Sequence, residues 1–135
     1  MSRKPQVVPY RPEWVDEGLD WCELVRDTLG DLALDIDHVG STAVPGLAAK
    51  DVLDIQALVF DLDEAAPALA ALEAAGFRHR PEKRGEPPRA GYPDHPDCWD
   101  KLFLREPEGA RSVHLHLREA GTAAARVPLL LRDFL

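Results

Sequence analysis

The chain has 135 residues, and 16 Lys and Arg against 24 Asp and Glu give it a formal net charge of −8. Its length predicts one domain, and 45% hydrophobic with 30% charged residues is the composition of an ordinary globular protein. No apolar run approaches the roughly 18 residues of a membrane span, and the N-terminus lacks an apolar signal segment, so we expect a cytoplasmic protein without membrane contact. The acidic charge disfavours nucleic-acid binding through a generally basic surface, but it allows a small anionic ligand.

The predicted elements alternate between helices and strands. Apolar residues recur at helical spacing over 12–30, and alternation predicts a strand over 33–39. A short helical turn at 47–50, a strand at 51–60 and an alanine-rich helix at 64–75 follow. The later predicted elements are a short strand, the two strands of a hairpin and a final helix, at 77–80, 99–104, 112–118 and 122–135.

This order of elements predicts a single domain over 1–135 in the α/β (α+β) class, with a mixed β-sheet and helices packed on it. Residues 81–96 hold five prolines and two glycines, which predicts an irregular loop. Residues 78–89 carry five basic and two acidic side chains, so this segment either covers an anionic substrate or is a solvated loop. We expect Cys22 and Cys98 to be reduced packing residues, because they form no metal or redox motif.

A turn-rich segment containing Gly40, Ser41 and Thr42 follows the first predicted strand. Backbone N–H groups and hydroxyls at such a turn can bind a phosphate, and Asp54 on the next strand could hold a hard cation beside it. The alternative is a tight turn next to an aspartate that caps the backbone. A Walker-type phosphate loop is excluded, because the residue after Gly46 is not the required lysine.

In the otherwise apolar strand at 51–60, Asp54 and Gln56 are polar, and their side chains point to the same face of the strand. Burying such groups is costly unless solvent, a ligand or a partner satisfies them. Along the strand at 112–118, period two places His114, His116 and Arg118 on one face. Two imidazoles about 7 Å apart can share a metal ion or a phosphate with a third group, whereas the alternative is a solvated sheet face.

The sequence HVGSTAVPGLAAK at 38–50, followed by Leu53-Asp54-Ile55 and His114-Leu-His116, closely resembles the GrpB family, also catalogued as the uncharacterised UPF0157 group. The segments VPY at 8–10 and PEW at 12–14 strengthen the resemblance, which covers nearly the whole chain. Family members usually continue beyond the segment that ends this sequence, so we expect either a short member or a truncated chain.

The resemblance implies a nucleotidyltransferase-like fold, in which a Gly-Ser turn holds a nucleotide phosphate. In active members of that superfamily, two acids spaced by one residue and a third acid on a later strand bind two divalent ions. Gly40 and Ser41 match the turn, and Asp54 matches the first acid, but Gln56 stands where the second acid is expected. The two histidines of the later strand occupy the place of the third acid, a donor set that suits a transition metal or Zn²⁺.

The leading hypothesis is a protein that binds a nucleotide or another phosphorylated small molecule, with metal-dependent nucleotidyl transfer as the candidate reaction. Asp54 would be catalytic and would bind a divalent metal, Mg, Mn or Zn, together with His114 and His116. The remaining candidate ligand-binding residues, which would hold or neutralise phosphate, are Gly40, Ser41, Thr42, Lys50 and Arg118, with Lys101 and Arg105 as additional basic candidates.

Two other functions compete with this hypothesis. A non-catalytic binding module of the same fold would have lost the second metal-binding carboxylate, and Gln56 favours that possibility. The His-x-His pattern also has a superficial similarity to the histidine-triad hydrolases, but Arg118 stands where their third histidine is required.

Overall fold

A computed structural model describes residues 6–83 and 101–134 of the chain. Within these residues the strands are β1 (Val7–Val8), β2 (Asp35–Val39), β3 (Ala49–Lys50), β4 (Leu53–Val59), β5 (Arg78–His79), β6 (Leu102–Arg105) and β7 (Val113–Glu119). The helices are α1 (Glu13–Leu29), α2 (Ala66–Ala74) and α3 (Ala123–Phe134). The predicted mixed α/β architecture is therefore confirmed.

The sheet has the strand order β2-β4-β7-β6-β5. Its central pair, β4 and β7, runs parallel, and the other neighbouring strands are antiparallel. The predicted hairpin is confirmed, because β6 and β7 pair antiparallel with Phe103 opposite His116. A separate two-stranded ribbon joins β1 to β3.

The hydrophobic core lies on the face of the sheet that α1 and α2 cover. The apolar side of β4 packs there, with Leu53 and Ile55 fully buried, beside Trp14 and Val25 of α1 and Leu72 of α2. Because strand residues alternate between faces, Asp54 and Gln56 point to the opposite side, where α3 lies. The alternation that buries the core therefore also sends the polar side chains of β4 and β7 to one common face.

Two local predictions need correction. The short helical turn expected at 47–50 is wrong, because Ala49 and Lys50 pair with β1 as strand β3, and the only helical turn nearby is a 3₁₀ turn at Ser41–Ala43. That strand pairing links distant parts of the chain, so local propensity did not reveal it. The alanine-rich helix begins at Ala66 instead of residue 64, since Asp61 accepts a hydrogen bond from the Asp63 N–H and caps a separate 3₁₀ turn.

Some predictions concern residues outside the described ranges. They include most of the proline-rich segment 81–96, part of the basic segment 78–89, and Cys98. The other cysteine, Cys22, is half-buried on α1, and burial together with the charge of Asp37 raises the pKa of its thiol to about 11. This fits the packing role that the sequence predicts. Within the described residues, no helix is long and apolar enough to cross a lipid bilayer.

Candidate functional site

The glycine turn after β2 lies against the carboxylate of β4. Val39 is opposite Asp54 in the antiparallel pair, so the chain leaves β2 beside that aspartate. Gly40 has a φ of 77°, which favours glycine, and a Cβ at this position would lie 2.5 Å from Oδ2 of Asp54. Glycine is thus required by both the backbone and the close approach to Asp54.

The side chain of His38 supports the glycine turn through a contact with Thr42. Nε2 of His38 lies 2.8 Å from Oγ1 of Thr42, and that hydroxyl donates to the Val52 carbonyl at 3.4 Å. Because the hydroxyl proton goes to Val52, Oγ1 accepts from His38, and this network places the imidazole proton on Nε2. Burial lowers the pKa of His38, which favours this neutral form. The Thr42 hydroxyl is therefore engaged inside the protein, whereas Ser41 is exposed.

The ring of His38 packs directly on α1. A Cβ added to the buried Gly18 would lie 2.3 Å from Nδ1 of the imidazole. Gly18 therefore leaves the space that the ring occupies, and α1 supports the turn through this contact. The helical spacing over 12–30 predicted α1 but did not reveal the side chain that packs against Gly18.

The two histidines of β7 lie beside Asp54, as the strand pattern predicts. Nε2 of His116 is 3.1 Å from Oδ1 of Asp54, and Nδ1 of His114 is 3.8 Å from the same oxygen. Both imidazoles also contact the Phe103 ring edge to face. Burial lowers the pKa of His116 to about 4, so at neutral pH its uncharged ring donates to the Asp54 carboxylate.

Two observations weigh against the metal site expected at Asp54, His114 and His116. In residues 6–83 and 101–134, no group of three or more His, Cys, Asp or Glu side chains is arranged to hold a metal ion. Nδ1 of His116 is buried and has no hydrogen-bond partner within those ranges. A histidine that binds a metal through one nitrogen normally donates the other N–H to a fixed acceptor. If Nε2 of His116 bound a metal ion beside Asp54, the N–H at Nδ1 would have no acceptor among the described residues, and the second carboxylate is replaced by Gln56.

Gln56 is fully buried, and both ends of its amide are engaged. Its Nε2 donates to the carbonyl of Ala125 in α3 at 3.0 Å. Its Oε1 accepts from Nη1 of Arg118 at 2.7 Å. The polar side chain that the sequence left unexplained thus connects α3 to the sheet and fixes the position of a buried guanidinium.

These side chains surround a cleft of about 260 Å³ between the glycine turn and α3. Its polar lining consists of Gly40, Ser41, Asp54, His116, Arg118 and Arg132, and its apolar wall includes Val39, Val44, Pro128 and Leu131. Arg132 was missed by the sequence analysis. It donates to the His38 carbonyl and to Asp37, each at 3.3 Å. Its spacing from Pro128 and Leu131 along one helix face is the signal that could have revealed it.

Lys50 lies on the other side of Asp54, in a second recess that we call the Lys50 recess. It has a volume of about 670 Å³, and Arg105 and His114 also line it. Ser41 and Asp54 border both the cleft and this recess. The predicted basic residues therefore divide, with Arg118 in the cleft and Lys50 in the recess. Lys101 lies instead over the ring of Phe103, with Nζ 5.5 Å from the ring centre.

Comparison with known proteins gives this geometry a family context. The family model described as GrpB protein matches residues 4–135. A UPF0157 protein of Streptomyces coelicolor is 36% identical over 126 residues, which are 93% of this chain and 58% of that protein. A protein of Mycobacterium tuberculosis named dephospho-CoA kinase is 34% identical over 148 aligned residues, which cover all of this chain and 36% of that protein. The chain thus spans between about a third and three fifths of these relatives.

Solved structures show the same fold. The crystal structure of the conserved protein GrpB from Enterococcus faecalis matches with a TM-score of 0.69 and 22% identity, over 96% of this chain and 73% of that one. A structure of the Cid1 RNA terminal uridylyl transferase matches with a TM-score of 0.59 and 18% identity, over 95% of this chain and 36% of that one. The fold is therefore nucleotidyltransferase-like, as the resemblance implied. On its sequence match, this chain belongs to the GrpB family.

Proposed function

We propose that this chain binds a nucleotide or another phosphate-bearing small molecule in the cleft between the glycine turn and α3. The observation that carries the proposal is that Ser41, Arg118 and Arg132 all line the cleft, beside the backbone of Gly40. Hydroxyls, guanidinium groups and backbone N–H groups are the usual ligands of phosphate oxygens in proteins. The net charge of −8 disfavours a polyanion, so a single small anion is the ligand that we propose for these two arginines.

The cleft and the adjoining Lys50 recess suggest how a longer ligand would be placed. The cleft of about 260 Å³ is smaller than the roughly 300–1,000 Å³ of pockets that enclose drug-sized ligands, so it suits a phosphate chain. The Lys50 recess is larger, at about 670 Å³, and adjoins the cleft at Ser41 and Asp54. A nucleotide with its phosphates in the cleft could extend its remaining part into the recess.

Metal-dependent nucleotidyl transfer would be the catalytic form of this proposal. It would need Asp54, with His114 and His116, to hold a Mg, Mn or Zn ion. The engaged amide of Gln56 and the buried Nδ1 of His116 weigh against such a site. Binding without nucleotide turnover is therefore the form that we propose.

Isothermal titration calorimetry with ATP, CTP, GTP and UTP tests the proposal. Dephospho-CoA belongs in the same series, because several relatives are named dephospho-CoA kinase. Arg132→Met and Arg126→Met provide a matched pair on α3, since Arg132 lines the cleft and Arg126 is exposed elsewhere on the helix. We expect Arg132→Met to weaken binding about tenfold, as for loss of one charged hydrogen bond, and Arg126→Met to leave it unchanged.

Two outcomes would contradict the proposal. If none of these ligands binds the wild-type protein, the cleft is not a phosphate site. If a ligand binds and both arginine variants reduce its affinity equally, binding takes place elsewhere on the surface. Release of pyrophosphate from a nucleoside triphosphate, measured in the same samples with Mg²⁺ or Mn²⁺, would replace the binding function by nucleotidyl transfer.

A further inference from the structure

We infer that the Lys50 recess holds a second anionic group of the ligand, so that the ligand is a nucleoside with phosphates on two separate carbons of its sugar. The inference rests on the proposed function, which places the first phosphate in the cleft, and it narrows the class of ligand. It starts from the strand register. Asp54, His114 and Arg105 lie directly opposite one another on β4, β7 and β6, so they form one row across the sheet.

Residues of this row and of the ribbon formed by β1 and β3 line the Lys50 recess together. Lys50 pairs with Val7 in the ribbon, and both residues border the recess. The ribbon therefore brings a lysine from outside the main sheet to face the row of Asp54, His114 and Arg105.

The recess has more positive than negative charge. Its described lining contains two cations, Lys50 and Arg105, and one anion, Asp54. Within residues 6–83 and 101–134, the ammonium group of Lys50 makes no ion pair or hydrogen bond. Arg105 is paired with Glu106, but that carboxylate also pairs with Arg78, so two guanidinium groups share one negative charge. An anion that enters the recess therefore meets the ammonium group of a lysine, a common ligand of phosphate.

The carboxylate of Asp54 limits how two phosphates can be arranged, because it borders both the cleft and the recess. An unbroken chain of phosphates from one to the other would pass this carboxylate and be repelled by it. Oδ1 of Asp54 accepts from His116, whereas Oδ2 has no hydrogen-bond partner among the described residues. A sugar hydroxyl at this point can donate to Oδ2. An uncharged sugar with one phosphate on each side therefore fits better than a continuous phosphate chain.

The size and the apolar wall of the recess favour a nucleoside over a phosphate alone. Its volume of about 670 Å³ lies within the roughly 300–1,000 Å³ of pockets that enclose drug-sized ligands. Apolar surface is contributed by Val7, Ala48 and Val52, while Ser112 adds a hydroxyl. Such pockets combine apolar walls with a few polar groups that orient the ligand. The recess thus offers a wall for the base as well as a cation for the second phosphate.

The first test compares adenosine 3′,5′-bisphosphate with ADP, its isomer in which both phosphates are attached through one carbon. Calorimetry on the wild-type protein is expected to show at least about tenfold tighter binding of the bisphosphate, because only this isomer places a phosphate on each side of the sugar. Bisphosphate binding no tighter than ADP binding would overturn the inference and leave the proposed function standing. If AMP, ADP and the bisphosphate all fail to bind, the inference is overturned together with the proposed function.

Variants of Lys50 form the second test. Lys50→Met is expected to weaken binding of the bisphosphate about tenfold and to change the affinities for AMP and ADP less than about twofold, since their phosphates lie in the cleft. Lys50→Arg keeps the positive charge and is expected to bind the bisphosphate within about threefold of wild type. Arg126→Met removes an exposed charge elsewhere on the protein and is the matched control, with unchanged affinity for all three ligands.

The pattern across the three ligands separates a second anion site from a general effect of charge. Equal weakening of AMP, ADP and the bisphosphate by Lys50→Met would mean that the lysine meets the same phosphate in every ligand, and the inference would be overturned. Wild-type affinity of Lys50→Met for the bisphosphate would overturn it as well. Arg132→Met, which changes the cleft, is expected instead to weaken binding of all three ligands. Because the Lys50 side chain is exposed, its variants are expected to keep the wild-type melting temperature.

Discussion

Asp51 lies just before β4 and Asp54 lies near its start, three residues further on, but the two have very different partners. Asp51 accepts hydrogen bonds from the side chains of Arg111, Arg11 and Trp14. Burial opposes its ionisation, but the hydrogen bonds from Arg111 and Trp14 outweigh that effect and hold the pKa of Asp51 below its usual value. Asp54 instead accepts a hydrogen bond from the neutral ring of His116 and borders both the cleft and the Lys50 recess.

Within this short segment, Asp51 contributes to stability and Asp54 lies where a ligand would bind. Arg111 also pairs with Glu17 of α1 and donates to the Asp51 carbonyl, so this network ties the first helix to the entry of β4. Asp54 is fixed in position by a neutral donor and by contact with Gly40, and it lies at the border of the cleft. A carboxylate paired with cations serves the fold, and a carboxylate paired with a neutral group remains able to influence a ligand.

The largest expected effect is the loss of folding stability when Asp51 is replaced. Asp51→Ala removes the shared acceptor of two arginines and a tryptophan, and we expect it to lower the free energy of unfolding by about 2–3 kcal/mol. Asp54→Asn is the matched control, with an expected loss below about 1 kcal/mol, because it keeps a similar shape and an acceptor for His116. Urea denaturation measures both values. Equal losses would remove the distinction between the two aspartates.

The next effect concerns the support behind the glycine turn. Gly18→Ala forces a methyl group into the space of the His38 ring, and overpacking of this kind costs about 2 kcal/mol. Because His38 holds Thr42, we also expect weaker ATP binding at the adjacent Ser41. Glu23→Ala, at an exposed position of the same helix, is the control for helix substitutions. Wild-type stability and wild-type ATP affinity in Gly18→Ala would show that the helix does not support the site.

Strand periodicity explains why much of this site was predictable. Alternation along β4 and β7 placed Asp54, His114, His116 and Arg118 on one face, and their clustering needed only that the two strands be neighbours. The partners contributed by α3 were not predictable in the same way. Where a helix crosses a sheet depends on long-range packing. Helical spacing places Arg132 on one face of α3, but it does not show that this face meets the cleft or which carbonyl binds Gln56.

A smaller effect concerns the charge that Asp54 directs at the cleft. If phosphate binds beside Arg118 without a metal ion, Asp54 repels it, and Asp54→Asn should tighten ATP binding in EDTA by about fivefold. A metal-dependent site predicts the opposite, because the variant would lose a carboxylate ligand. Calorimetry with ATP, in EDTA and then in Mg²⁺, decides between them. Weaker ATP binding by Asp54→Asn would show that the carboxylate contributes to binding.

The smallest effect is the pH dependence of the Asp51 network. A carboxylate whose pKa is lowered by folding stabilises the protein fully above its unfolded pKa of about 3.9, and that contribution is lost as the pH falls through the folded value. The stability gap between wild type and Asp51→Ala should therefore narrow between about pH 5 and about pH 3. The charged groups facing Asp51 are Arg111 and Arg11, with Glu17 sharing Arg111.

Asp51→Asn mimics the protonated residue and serves as the control in urea denaturation across this range. A gap that stays constant as the pH falls would mean that Asp51 stabilises the fold through packing, and the contrast with Asp54 would no longer be one of charge pairing.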